Sequence, residues 1–384
     1  MAIYHPWIYL KGGAEKTILE LVHRSRHDWI IYTNRYEKDN TFPEFDNLEV
    51  NELLRVPVKR DIFNVTAAAL RILFQKRIDF KSDLLMISSE GLGDFINFKK
   101  QRNLPSVCFC HTPLKIIHDK HTQNRYLELN GNKAKLKLLF FGTVFKTIDK
   151  IAWKKFERVI CNSQEVKNRV LNADLADDSI ISIANPGVDI EKYSSWKVKS
   201  GDYLLIPGRI MWTKNIELGI KAYLKSQAPK KNIKLIIAGA VDKKSEQYFE
   251  ELQSYLRNSD LISFRVSPSS EELLELYKDS MAVLFTAPNE DWGIVPLEGM
   301  AAGKPVIAIN QGGPKESIIN EVTGYLADNN IDDYKSAIDK LINNENKLQM
   351  GLNAREHVQK FSWDNFTKVI DDEIDSLILQ RGKL

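Results

Sequence analysis

From Gly201 onward, short apolar runs alternate with helically spaced segments: "DYLLIPG", "NIELGIKAYLKS", "IKLIIAGA", "LISFRVS", "SSEELLELYKDS", "MAVLFTAP" and "KPVIAIN". β-Branched and apolar runs bounded by polar sequence read as strands buried on both faces, and strands that each precede a helix build parallel sheets from βαβ units. The first half carries the same alternation in "DWIIYT" (28 to 33), "DLLMISS" (83 to 89), "SVCFCH" (106 to 111), "RVICNS" (158 to 163) and "ISIANP" (181 to 186). Two such series in 384 residues exceed one ordinary core and predict two doubly wound domains. The polar stretch "DIEKYSSWKVKSGD" reads as the linker, which gives domains over 1–195 and 196–361. A terminal helix over 362–384, with Phe366, Val369, Ile370, Ile374 and Leu377 on one face, is expected to pack back on the first domain. Domains of this kind facing each other would bring the carboxyl ends of both sheets to one cleft, so the chemistry belongs in loops that directly follow strands.

Composition narrows the function classes. With 54 Lys and Arg against 51 Asp and Glu, the chain lacks the uniformly basic surface of a nucleic-acid binder. The three cysteines, Cys108, Cys110 and Cys161, have no zinc-type spacing and read as reduced core residues of a cytosolic protein. No run of 18 apolar residues occurs, and "MAIYHPWIYLKGG" lacks the features of a secretion signal. The expected location is cytoplasmic, at most peripheral on the inner face of a membrane.

Three strand-end loops carry candidate groups. Gly12 and Gly13 precede the helically spaced Ile18, Leu19 and Val22, where glycines permit close backbone approach and exposed helix amides suit a phosphate; a plain tight turn explains the pair equally well. "SEGLGDFINF" offers Gly91 and Gly93, but Ile96 stands where a dinucleotide fingerprint needs its third glycine, so it reads as a loop. After "YLLIPG", which ends on Gly208, come Arg209 and Lys214, a fork and a point charge suited to clamping a diphosphate; their position after a strand raises that reading above two solvated cations.

The third loop is "NEDWGIVPLEGMAAGKP". Glu290 and Glu298 have seven residues between them, and Gly293 with Pro296 forbids one continuous helix. Pro296 fits a first helical turn and Gly303 a stop, so Glu290 belongs to the loop and Glu298 to the helix. The amides near Gly293, Ile294 and Val295 form a positive helix end between them. One carboxylate can then accept hydrogen bonds from a sugar and the other from a ribose. "QGGP" supplies a second glycine pair, Gly312 and Gly313, whose amides are expected to converge on the same place.

"NEDWGIVPLEGMAAGKPVIAINQGGPKESI" resembles the E-x7-E region of the retaining glycosyltransferases of family 4, which have the GT-B fold. "GGAEKTILEL", "CHTPLKIIHD", "VICNSQEVKNRV", "NPGVDIEKY", "GRIMWTKN" and "FSWDNF" agree in order, so the resemblance covers nearly the whole chain. It implies an α/β, two-domain enzyme that transfers a hexose from a nucleotide-diphosphate sugar to a glycan or lipid-linked acceptor, with retained configuration and no metal or other cofactor. Arg209 and Lys214 would hold the diphosphate, Glu298 the ribose and Glu290 the transferred sugar. Gly13 would offer its amide to the phosphates, His111 would lie beside donor sugar and acceptor, and contacts near Val266 would select the base. "CHTPLKIIHD" is similar to the loop of bacterial polysaccharide mannosyltransferases that use GDP-mannose, while UDP-glucose serves elsewhere in the family. Asn215 departs from the glycine that follows the lysine in many relatives.

Two other classes are weighed. An inactive partner subunit would have lost charged positions that are all present here, and a nicotinamide-dependent oxidoreductase would need the intact glycine fingerprint that neither half has. Finally, residues 133–158 hold eight Lys and Arg against two acidic residues, interleaved with Leu, Phe, Ile and Trp. Such a segment suits an anionic membrane surface; a pair of amphipathic helices with a solvated basic face is the other reading.

Overall fold

The computed structural model describes residues 1–58 and 62–382, leaving aside the side chains at 62, 121, 125, 128–137, 139–141, 257 and 258. It divides into two compact units, one of Met1–Asn185 with Phe366–Leu384 and one of Pro186–Asn365.

In the first unit the elements run β1 (Ala2–Tyr4), α1 (Gly13–Arg24), β2 (Ile30–Thr33), β3 (Val50–Glu52), α2 (Ile62–Phe74), β4 (Leu85–Ser89), β5 (Ser106–Cys110), α3 (Lys115–His118), α4 (Lys120–Trp153), β6 (Arg158–Cys161), α5 (Gln164–Asn172) and β7 (Ile181–Ile183). The strands form one sheet in the order β3-β2-β1-β4-β5-β6-β7, every neighbouring pair parallel. β4 and β5 are buried at every position, as strands covered by helices on both faces must be. The three cysteines are free and buried in this sheet, where loss of hydration pushes the Cys108 thiol up to about 12. β3, short and half-exposed, lacks the apolar run that marks the other strands.

The second unit contains α6 (Glu191–Ser194), β8 (Tyr203–Pro207), α7 (Ile216–Lys225), β9 (Lys234–Gly239), α8 (Glu246–Gln253), β10 (Ile262–Val266), α9 (Ser270–Asp279), β11 (Ala282–Phe285), α10 (Ile294–Ala301), β12 (Val306–Ile309), α11 (Pro314–Ser317), β13 (Gly324–Ala327), α12 (Ile331–Asn343) and α13 (Lys347–His357). Its sheet is also all parallel, in the order β10-β9-β8-β11-β12-β13. Residues 186–195, expected in the first domain, fall in this unit: Tyr193 of α6 is buried against Tyr277 of α9, ring centres 6.3 Å apart.

The terminal helix α14 (Trp363–Gly382) belongs to the first unit from Phe366 on. Phe366, Ile370, Ile374 and Leu377 are buried, and Phe366 meets Phe109 edge to face at 5.5 Å. Asp371 accepts hydrogen bonds from the Ser25 hydroxyl and the Arg26 amide just past α1. Val369, expected on the same apolar face, is 37% exposed.

Each sheet reverses its strand order once, between β1 and β4 and between β8 and β11. At such a switch adjacent loops leave in opposite directions and open a crevice at the strands' carboxyl ends.

Candidate active site

The switch point of the second sheet carries three of the four charged residues singled out in the sequence, Arg209, Lys214 and Glu290. β8 ends in Gly208, whose φ is 118°, and its loop closes with one 3-10 turn, Trp212–Lys214, against α7. Asn215 joins turn and helix with a left-handed backbone, φ 52°. Asparagine tolerates that conformation better than other side chains apart from glycine, which accounts for its standing in glycine's place. The Thr286 hydroxyl, just after β11, donates to the Lys214 carbonyl at 2.7 Å and ties the two switch-point loops together. The Lys214 ammonium lies 2.7 Å from the Glu290 carboxylate and 5.7 Å from the Phe285 ring centre. Arg209 is more than half exposed and makes a loose ion pair, 4.0 Å, with Asp242 beyond β9.

α10 starts as expected, with Gly293 at φ 91° as its N-cap and Pro296 in the first turn. A Cβ built on Gly293 would stand 3.6 Å from Glu290 Cγ, and one on Gly208 would stand 3.8 Å from Val295 Cγ2. The Glu290 side chain therefore runs past the amino end of α10, and Gly208 abuts its first turn. Gly208, Lys214, Glu290, Gly293, Ile294 and Val295 come together. Val266 does not join them: it ends the edge strand β10, with β9 between it and β8, and is 49% exposed.

The second glycine pair behaves differently from its sequence reading. α11 is only four residues long, and the Gly313 amide donates to the Glu290 carbonyl at 2.9 Å. A Cβ on Gly312 would meet that carbonyl oxygen at 2.2 Å, and one on Gly313 would meet Trp292 Cα at 2.4 Å. These glycines hold the Glu290 loop by close backbone approach, and the Gly313 amide is spent within the protein. Trp292 completes the anchor, only 3% exposed, with its indole donating to the Pro186 carbonyl at 2.8 Å.

Glu298, one helical turn into α10, accepts a hydrogen bond from the Tyr277 hydroxyl at 2.6 Å. Burial raises its carboxyl above the usual range, while that bond and the charge of Lys192 pull it down. Sequence reasoning missed Tyr277, because its place in "EELLELYKD" marks only the apolar face of α9.

In the first unit, the β1, β4 and β5 ends hold a buried polar chain. The Ser88 hydroxyl lies 2.8 Å from His111 Nε2 and 3.1 Å from His5 Nδ1, and His5 Nδ1 is also 3.0 Å from the Ser88 carbonyl. The His111 backbone is fixed on both sides, its amide donating to Ser89 and its carbonyl accepting from Asn162. Burial lowers His111 from 6.5 to about 4, so its ring is neutral at physiological pH. Ser88 and Ser89 were visible only as two polar residues closing an apolar strand. Gly12 caps α1 in an extended conformation and Gly13 opens the helix on an exposed turn, with Glu15 buried beneath.

Two further polar residues of the "CHTPLKIIHD" loop, His118 and Asp119, have structural partners, whereas the buried Thr112 hydroxyl has no hydrogen-bond partner among the described residues. His118 Nε2 is 2.8 Å from the buried Asp149 carboxylate, and Asp119 accepts from the amide and hydroxyl of Thr122 in the first turn of α4. Gly91, at φ 109°, lies against the backbone of Leu114, and a 3-10 helix, Gly93–Phe98, replaces the expected plain loop. Its Asp94 is fully buried, and desolvation together with Asp149 raises its carboxyl to about 8.

Residues 133–153 lie in the single helix α4, where a helix pair was the alternative, and many of its side chains fall outside those described. Among the described residues, no helix is long and apolar enough to cross a membrane. No group of three or more His, Cys, Asp or Glu among them is placed to hold a metal ion.

Residues 11–192 match the family model described as Glycosyltransferase Family 4, and residues 189–357 match Glycosyl transferases group 1. The chain is 33% identical to the mouse (Mus musculus) alpha-1,3/1,6-mannosyltransferase ALG2, over 96% of this chain and 94% of that one. It is 26% identical to the ALG2 of Dictyostelium discoideum, over 98% of both. Among solved structures it is similar to Anabaena HepE in complex with UDP and glucose, with a TM-score of 0.72 and 16% identity over 98% of this chain and 99% of that one. WaaG, a glycosyltransferase involved in lipopolysaccharide biosynthesis, superposes with a TM-score of 0.67 at 16% identity, over 97% of this chain and 98% of that one. At such identities the structural likeness bears on the fold alone, which is GT-B.

Proposed function

This chain belongs to the family 4, group 1 glycosyltransferases, and from that premise we propose that it moves a mannosyl residue from GDP-mannose to a lipid-linked glycan acceptor. Mannose is favoured over glucose by the mannosyltransferase activity of its relatives and by the "CHTPLKIIHD" loop. The observation that carries the reading is the Lys214–Glu290 pair, held at the switch point beside the amino end of α10.

In this reading Lys214, Arg209 and the amides of Ile294 and Val295 receive the diphosphate. Cations and oriented amides stabilise the charge that grows on the leaving group, and each such donor is worth roughly 3 kcal/mol or more in a water-poor site. Glu298, oriented by Tyr277, accepts hydrogen bonds from the ribose hydroxyls. Glu290 accepts from the sugar hydroxyls, releasing Lys214 to the phosphate as the donor enters. Neutral His111 hydrogen-bonds donor sugar and acceptor without bringing a competing positive charge. The exposed Gly13 offers its amide to the phosphates, while Gly12 gives room to the Glu15 side chain packed against it, and the exposed end of β10 at Val266 contacts the base. The bond from the anomeric carbon to the diphosphate breaks as the acceptor hydroxyl attacks from that same face, its proton passing to the departing phosphate oxygen, so the configuration is retained. With the leaving group stabilised by cations and amides, transfer proceeds without metal. The basic segment 133–158 rests on the anionic inner face of a membrane, where the acceptor resides.

A nucleotide-sugar panel tests this. GDP-mannose is expected to be turned over in the presence of EDTA, with the α-anomer transferred as seen by NMR. Turnover of none of the panel, with or without added metal, would sink the transferase reading; turnover of UDP-glucose alone would sink the choice of donor.

A further inference from the structure

The first unit contains an apolar groove of about 640 Å³ that the donor chemistry does not use. α2 forms one wall through Leu70 and Leu73, α4 the other through Gly142 and Phe145, and the loop after β5 with α3 supplies Leu114 and Ile117. Its rim exposes Phe63 (78%), Val144 (50%) and Leu70 (47%). Large apolar side chains left to water around one concavity mark a binding surface.

Two features of the groove identify the occupant. Leu114 follows His111 by three residues, so the lip of the groove is no more than about 11 Å along the chain from that histidine. A second hollow, about 240 Å³, shares Ile117, Leu138 and Gly142 with the groove and adds Gln123, Thr143 and Lys146. Hydrocarbon-lined space thus continues into hydrogen-bonding groups and a cation.

We propose that this groove takes the hydrocarbon chain of a lipid phosphate, with the phosphate at the Lys146 end and the head group toward His111. The proposal deepens the reading of a lipid-linked acceptor and rests on it. It differs from surface adsorption, because a single chain is drawn into the protein. The exposed Lys146 at the polar end complements a phosphate rather than a cationic head group, and an acidic peptide would not fill a space lined by aliphatic and aromatic side chains.

The full-length chain is titrated with dodecyl phosphate below its micelle concentration, by calorimetry, beside butyl phosphate and dodecyltrimethylammonium. Dodecyl phosphate is expected to bind tighter than butyl phosphate by about a hundredfold or more, and tighter than the cationic chain. Two variants locate the site. A Cβ at Gly142 would meet Ile117 at an ordinary 3.6 Å, so Gly142→Leu fills the groove without backbone strain, and Leu70→Glu charges an exposed rim position. Each is expected to weaken dodecyl phosphate about tenfold while GDP affinity stays unchanged. Equal binding of the two phosphates, equal binding of the cationic chain, or wild-type affinity in both variants overturns the proposal. So does a dimer in sedimentation that Leu70→Glu dissociates, since a second copy would then fill the groove. GDP-mannose turnover is read separately, so failure of the transferase reading is distinguishable from failure of the groove.

Discussion

The Lys214 ammonium and the Glu290 carboxylate, 76 residues apart in the chain, lie 2.7 Å apart and join the loops that follow β8 and β11. The lysine's charge is answered here by the carboxylate that we propose also receives the sugar hydroxyls, so in that proposal a diphosphate must displace it. The two groups compete for Lys214 until a donor separates them. Glu290→Gln is therefore expected to leave GDP affinity equal or tighter while transfer falls about a hundredfold, and Lys214→Met to weaken GDP and slow transfer together. Calorimetry with GDP and initial rates check both; a Glu290→Gln enzyme that binds GDP tenfold more weakly would contradict the competition.

Tyr277 supplies Glu298 with a hydrogen bond and takes no part in the chemistry proposed. Tyr277→Phe is expected to raise the donor KM several-fold with kcat changed less than about threefold, since ribose contacts are made alike in ground and transition states. A selective drop in kcat would show that Glu298 acts on the reacting centre.

Ser88 holds His111 in one orientation by sharing its hydroxyl with His5. Ser88→Ala removes the hydroxyl from His111 Nε2 while His5 keeps the Ser88 carbonyl, and is expected to lower kcat about tenfold with donor KM unchanged, and Ser88→Thr to restore most of it. Should Ala and Thr lose activity in parallel with a fall in melting temperature, Ser88 would be a packing residue alone.

Two buried groups pull the pH dependence of stability in opposite directions. His111 is lowered from 6.5 to about 4, so the unfolded chain takes up the proton first; its contribution is full above about 6.5 and is lost as pH falls toward 4. Asp94 is raised from 3.8 to about 8, so its contribution is full below about 4 and is lost as pH rises through 8. Asp94→Asn is expected to stabilise the chain at pH 8.5 relative to pH 5.5 by more than about 1 kcal/mol, read by denaturant melts. The same gain at both pH values would show that Asp94 is ionised in the folded state.

Gly313→Ala forces a methyl group into Trp292 Cα, where the loop backbone has no room to yield without moving Glu290. The expected cost is about 2 to 4 kcal/mol of stability with loss of transfer. Thermal melts and activity read it, and a variant with wild-type values for both would refute the close approach.

Much of the fold was legible because parallel strands buried on both faces announce themselves as continuous apolar runs. "SVCFCH", "YLLIPG" and "KPVIAIN" became β5, β8 and β12, and the start of α10 followed from Gly293 and Pro296 by local rules of backbone geometry. The half-exposed β3 was missed for the converse reason, since "VNE" buries too little to leave a pattern.

The sequence by itself determined which residues stand at strand ends and which family of chains this one joins, because apolar periodicity, glycine conformation and motif order are local properties. Only the tertiary structure decided which loops meet. Strand order, set by long-range packing, puts β8 beside β11 and so Lys214 against Glu290. It likewise gives the Gly313 amide to Glu290 rather than to a ligand, Tyr277 to Glu298, and Ser88 to two histidines. Such pairings depend on distances across the sheet, which no spacing along the chain encodes.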